Sequence, residues 1–133
     1  GSIAHIFINF PEPPHVSGSE DAESRLHLLT GDFFLAMCGV LRPHGRVTIL
    51  SDNRRYCGQL ARAVAALGAA GTPTYGSVPL DGSVDFEDIE GIRVHTGLPG
   101  KEGGHVVTAT SRFDSRWEND QRTQRYFLVL QKL

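Results

Sequence analysis

Sulfur is scarce in this chain, with two cysteines and one methionine among 133 residues. Cys38 and Cys57 form no CxxC pair and fall at apolar positions of expected helices, which argues against a disulfide framework and reads as buried free thiols. Paired ligand spacing is lacking among the histidines at 5, 15, 27, 44, 95 and 105, so nothing in the sequence points to a metal site. Neither sign of charge dominates: thirteen Lys and Arg against fifteen Asp and Glu leave a formal charge of −2. Without a global basic field, a nucleic-acid partner would need a local patch. No apolar run approaches the roughly 18 residues of a membrane span, and the start lacks the basic, apolar and small-residue regions of a signal peptide. The expectation is a protein that is not secreted, cytoplasmic or nuclear, with no membrane partner.

What is present suffices for a core, since 40% of the residues are apolar and the length matches about one ordinary domain. Ile3-Ala-His-Ile-Phe-Ile-Asn-Phe10 is a near-continuous apolar run ended by Pro11-Glu12-Pro13-Pro14, the pattern of a strand buried on both faces. Such strands sit mid-sheet, yet this one comes almost first, so a partner chain or an N-terminal half would have to supply its neighbours. Leu26, Leu29, Phe33, Met37, Val40 and Leu41 then recur at helical spacing until Arg42-Pro-His-Gly45 stops them. Arg46-Val-Thr-Ile-Leu50 is a second strand, completing a crossover unit. Ser51-Asp52-Asn53 supplies an N-cap for a helix whose face is Tyr56, Leu60, Val64 and Leu67 and which ends at Gly68.

From 69 to 104 the pattern weakens into an irregular insertion rich in Gly and Pro, with an acidic stretch at Asp85–Glu90. Ile92–His95 and Val106–Ala109 are possible edge strands, and Tyr126–Leu130 is the final strand. The glycine-dense stretch Gly97–Gly104 follows no clear strand and lacks phosphate-loop spacing, so it reads as a flexible loop. Arg112, Arg116, Arg122 and Arg125, interleaved with Phe113, Trp117 and Tyr126, form a local basic and aromatic mixture. It suits looped RNA or, diluted by Asp114, Glu118 and Asp120, a solvated segment over the core.

In open α/β sheets ligand-binding groups collect at the carboxyl ends of strands. Glu12 follows the first strand and Asp52 the second, so a crossover unit sets both carboxylates along one sheet edge. Asp52 could equally be a helix cap.

Phe10-Pro-Glu-Pro-Pro-His15 resembles the Phe-Pro-Asp-Pro-Trp signature of the tRNA guanine-N7 methyltransferase family. Leu41-Arg-Pro-His-Gly-Arg-Val-Thr-Ile-Leu-Ser-Asp-Asn53 is similar to that family's Leu-x-x-Gly-Gly-x-x-x-x-x-Thr-Asp, with Ser51 for Thr and His44 for the first Gly. Ser111-Arg-Phe-Asp-Ser-Arg116 is similar to its Thr-x-Phe/Tyr-Glu-x-Arg/Lys. The resemblance begins at the family's fourth strand. It implies a single partial domain over 1–133, the C-terminal half of a Rossmann-like class I methyltransferase: a mainly parallel sheet with a terminal antiparallel strand and flanking helices.

The implied cofactor is S-adenosylmethionine and the implied partner is tRNA or another RNA. Glu12 takes the catalytic place, Phe10 and Glu12 lie by the cofactor, and Asp52, Ser111 and Asp114 take substrate-binding places. The fragment alone is expected to be inactive and to self-associate through its exposed sheet edge. Two carboxylates differ from the pattern by one methylene, Glu12 for Asp and Asp114 for Glu. Val16-Ser-Gly-Ser-Glu-Asp-Ala-Glu-Ser24 stands where the family has a basic cluster. A divergent methyltransferase with another substrate, or a catalytically inactive binding module, therefore remain as alternatives.

Overall fold

The computed structural model describes residues 1–9, 29–71, 74–80, 85–97 and 124–133. Among them are six strands and two helices: β1 (Ile3–Asn9), α1 (Gly31–Val40), β2 (Leu41–Ser51), α2 (Arg54–Ala69), β3 (Tyr75–Ser77), β4 (Phe86–Ile89), β5 (Ile92–Thr96) and β6 (Tyr126–Lys132). The strands form one open sheet in the order β1-β2-β6-β5-β4, with β3 also paired to β6.

The expected mainly parallel sheet is corrected to a mixed one. β1 and β2 run parallel, while β2·β6, β3·β6, β4·β5 and β5·β6 are antiparallel. β6 is the last strand of the chain but lies inside the sheet, where its buried run from Phe127 to Leu130 fits a strand flanked on both sides.

β1 departs from the expected burial on both faces. It is the edge of the described sheet, and Ile3 and Phe7 are each 42% exposed. An apolar run alone does not tell a central strand from an edge strand. β5, read as an edge strand, is interior between β4 and β6.

Periodicity locates α2 well. Tyr56, Leu60 and Val64 are buried, joined by Cys57 and Ala61, and they meet Val47 and Ile49 of β2 and Leu128 and Leu130 of β6 in the main core. That core lies on the helix-bearing face of the sheet. α1 packs there too, through Phe34 and Met37.

Gly31 stands at the start of α1, with Thr30 as the cap; residues 10–28 lie outside the described part. The chain passes straight from α1 into β2, so the orphan carbonyls at the helix end need donors. Lys132 Nζ donates to Cys38 O at 2.7 Å and Leu41 O at 2.9 Å.

β2 is longer than the sequence suggests because Leu41 already pairs with Ile3, and the register then shifts before His5 meets Arg46. His44 takes φ 61° within that irregularity. Within 69–104, the described residues hold β3, β4 and β5. The second sheet face carries a smaller cluster of Leu50, Val78, Phe127 and Val129, with Leu80 against it.

Candidate functional site

The register brings several chain crossings to one sheet edge. Asn9 pairs with Leu50 at the carboxyl end of the parallel β1–β2 pair, and Ser51 pairs with Tyr126 at the start of β6. Tyr126 in turn pairs with Thr96 at the end of β5. The Gly97 amide donates to Arg125 O at 2.6 Å at the same edge.

One stretch singled out in the sequence, residues 41–53, ends at this edge, and two others belong to segments whose described flanking residues reach it. Residues 10–15 follow Asn9, residues 41–53 end on it, and residues 111–116 fall between Gly97 and Gln124. Phe10, Glu12, Ser111 and Asp114 themselves lie outside the described residues, as do Val106–Ala109 and Arg112, Arg116 and Arg122. Asp52 is the one candidate site residue that is described.

Asp52 is half-buried and follows β2 directly. Its capping alternative is taken by its neighbour: Asn53 caps α2, its Oδ1 accepting from the Tyr56 amide at 3.0 Å. The Asn53 amide donates to Ser51 Oγ at 3.1 Å, which fixes the turn that carries Asp52. Burial pushes the Cys57 thiol up to about 12, partly countered by a hydrogen bond with Ser51 and reinforced by the Asp52 charge. Cys57 is therefore an inert core thiol rather than a nucleophile.

A cleft of about 200 Å³ opens between the first turn of α2 and the β4–β5 hairpin. Arg54, Phe86, Glu87, Thr96, Gln124 and Tyr126 line it. Arg54 Nη2 reaches Glu87 Oε2 at 2.7 Å, both side chains being largely exposed. The Glu87 carboxylate raises the Arg54 pKa above its ordinary value. Sequence reasoning passed over this cleft. A signal was present in Phe86-Glu-Asp-Ile-Glu-Gly-Ile-Arg-Val-His95, where alternating residues flank a Glu90-Gly91 turn at φ 53° and 91°. Two positive φ values suit a tight hairpin, normally announced by Asn-Gly or Asp-Gly.

On the other sheet face His95 is 1% exposed and stacks on Phe127, with ring centroids 4.8 Å apart. Among the described residues no group of three or more His, Cys, Asp or Glu side chains is arranged to hold a metal ion. None of the described helices is long and apolar enough to cross a membrane. The molecule is thus an α/β protein with an open mixed sheet and a polar cleft at the carboxyl edge of its parallel pair. No family model matches the chain, and no curated protein matches it.

Proposed function

We propose that this chain provides the substrate-binding edge of an S-adenosylmethionine-dependent methyltransferase acting on RNA, with guanine N7 of tRNA as the target. The observation that supports this most is that Asn9, which residues 10–15 follow, and Ser51, which Asp52 follows, end at one sheet edge, where Gly97 and Arg125 also meet. Residues far apart in sequence serve one site only if the fold gathers them, and the carboxyl end of a parallel pair is where α/β sheets do so. In this reading the chain is the C-terminal half of a class I methyltransferase domain, in the cytoplasm or nucleus.

The cofactor supplies an electrophilic methyl group on a sulfonium. Among the described residues nothing cradles it: no glycine turn follows β1 or β2, whose ends lead to Phe10 and to Ser51-Asp52. Phe10 and Glu12, to which the resemblance gives that contact, lie beyond Asn9. The described residues serve the nucleotide instead. Guanine N7 carries its own lone pair, so no base need remove a proton, and catalysis rests on orientation and electrostatics. Asp52, released from capping by Asn53, accepts hydrogen bonds from the substrate nucleotide. Ser111 and Asp114 share that task, with Glu12 aligning the reacting groups. A guanine stacked in a duplex hides its edge, so the base is bound unpaired or flipped out.

Incubation of the full-length protein with tRNA and methyl-labelled S-adenosylmethionine is expected to yield 7-methylguanosine by mass spectrometry of nuclease digests. Asp52→Asn should lower that rate by about tenfold or more, given the 1–3 kcal/mol typical of a specific base contact, with an unchanged circular dichroism spectrum. The acidic stretch Glu20, Asp21 and Glu23 favours a second reading, methyl transfer to another substrate. Label entering protein or small molecules but not RNA would establish that one. Label in no pool would leave the inactive binding module.

A further inference from the structure

We infer that the cleft between α2 and the β4–β5 hairpin is a pocket for a single unpaired guanine base, with Glu87 as its specificity-determining residue. This assignment rests on the guanine-directed reading above, and the cleft's own chemistry supplies the argument. At about 200 Å³ the cleft is smaller than the roughly 300–1,000 Å³ of sites for drug-sized ligands. It suits one planar heterocycle rather than a whole cofactor. Its walls are tied in place by two backbone hydrogen bonds, Thr96 N to Asp85 O at 2.9 Å and Gly97 N to Arg125 O at 2.6 Å, so little ordering is left for a ligand to impose.

The lining matches guanine better than the other bases. Tyr126 supplies aromatic surface for stacking, which any base can use. The polar groups discriminate. Glu87 offers a carboxylate, of which Oε2 is engaged by Arg54 at 2.7 Å, and each carboxylate oxygen can accept more than one hydrogen bond. Guanine presents adjacent N1–H and N2–H donors on its Watson–Crick edge, which a carboxylate can accept together.

Adenine would turn the N1 lone pair toward that carboxylate, and uracil would flank its single donor with two carbonyl oxygens. Beside Glu87, Arg54 is available to donate to guanine O6. N7 lies on the far side of the base from N1 and N2, so it stays free for methylation. The Arg54–Glu87 pair is exposed and, like other surface pairs, holds itself only weakly, so it can adjust around a base.

The test is titration of the 133-residue chain with GMP and with AMP, followed by amide NMR shifts of Glu87, Thr96 and Tyr126. Saturable shifts with GMP are expected, with AMP at least about tenfold weaker, and Glu87→Gln should weaken GMP by about tenfold and erase the preference. Glu87 is half exposed, with its side chain at 51%, so the variant should melt as the parent does. No saturable GMP response, equal binding of AMP, or unchanged GMP affinity in Glu87→Gln would overturn the pocket. GMP binding with no methyl transfer by the full-length protein would overturn the methyltransferase reading and keep the pocket. Formation of 7-methylguanosine by Glu87→Gln at an unchanged KM would do the reverse.

Discussion

His95 is the residue whose environment most conflicts with its chemistry. It is 1% exposed, lies between Phe127 and Phe86, and among the described residues neither ring nitrogen has a hydrogen-bond partner. A buried polar group left unsatisfied costs about 1–3 kcal/mol. Burial first, and the Arg93 charge second, lower its pKa below the ordinary 6.5. Arg93, two residues away on β5, lies over the Phe86 ring, so the neighbouring charge is positive; across the hairpin, Asp88 pairs in register with Arg93. The folded state thus binds fewer protons than the unfolded chain. Stability is fully present above about pH 6.5 and falls as the pH drops below it. His95→Phe, which keeps a ring against Phe127 and removes both nitrogens, should raise stability at pH 7 by about 1 kcal/mol. It should also flatten the loss between pH 7 and pH 5 in urea unfolding. An equally steep acid loss in the variant would show that another group is responsible.

At the level of elements, the turn from β2 into α2 separates a structural residue from a functional one. The sequence Ser51-Asp-Asn53 offers three capping side chains in a row, and composition alone does not choose among them. The backbone chooses, because Asn53 holds extended φ and ψ of −112° and 103° and its side chain accepts from the Tyr56 amide. Asn53→Ala should therefore destabilise the protein by about 1 kcal/mol, whereas Asp52→Ala should change the thermal midpoint little. Reversed effects on the melt would return Asp52 to the cap. α2 itself was legible because its apolar residues recur with the helical period and its ends carry cap signals. β4 was not, because Phe86-Glu-Asp-Ile89 reads as an acidic stretch until β5 is set beside it. Glu90 at φ 53° also disguises the turn, being a residue that seldom takes a left-handed conformation. The cleft was hidden for the same reason, since two of its walls come from that hairpin.

For the whole molecule, the sequence makes clear the alternation of strands and helices and the junction of β1 and β2, but not where β1 lies across the sheet. Hydrophobic content reports how apolar a segment is, whereas its place in a sheet depends on pairings made by residues far along the chain. β6, the last strand and antiparallel as expected, enters beside β2, and β3, β4 and β5 add further antiparallel pairings that make the expected mainly parallel sheet a mixed one. The same topology has a consequence for association. One side of β1 pairs with β2, and among the described residues no strand pairs with the other. Open edges of this kind template pairing with another chain, and β1 adds Ile3 and Phe7, each 42% exposed. The 133-residue chain is accordingly expected to form dimers or larger species whose mass grows with concentration in light scattering. Phe7→Lys places a charge on the exposed apolar face. The lysine is a clean probe because Phe7 is already partly solvated and its replacement spares the backbone ladder of β1 and β2. A shift of Phe7→Lys toward monomer, with an unchanged circular dichroism spectrum, would locate the interface at β1. A parent chain that stays monodisperse and monomeric at every concentration would show that this edge does not recruit a second copy.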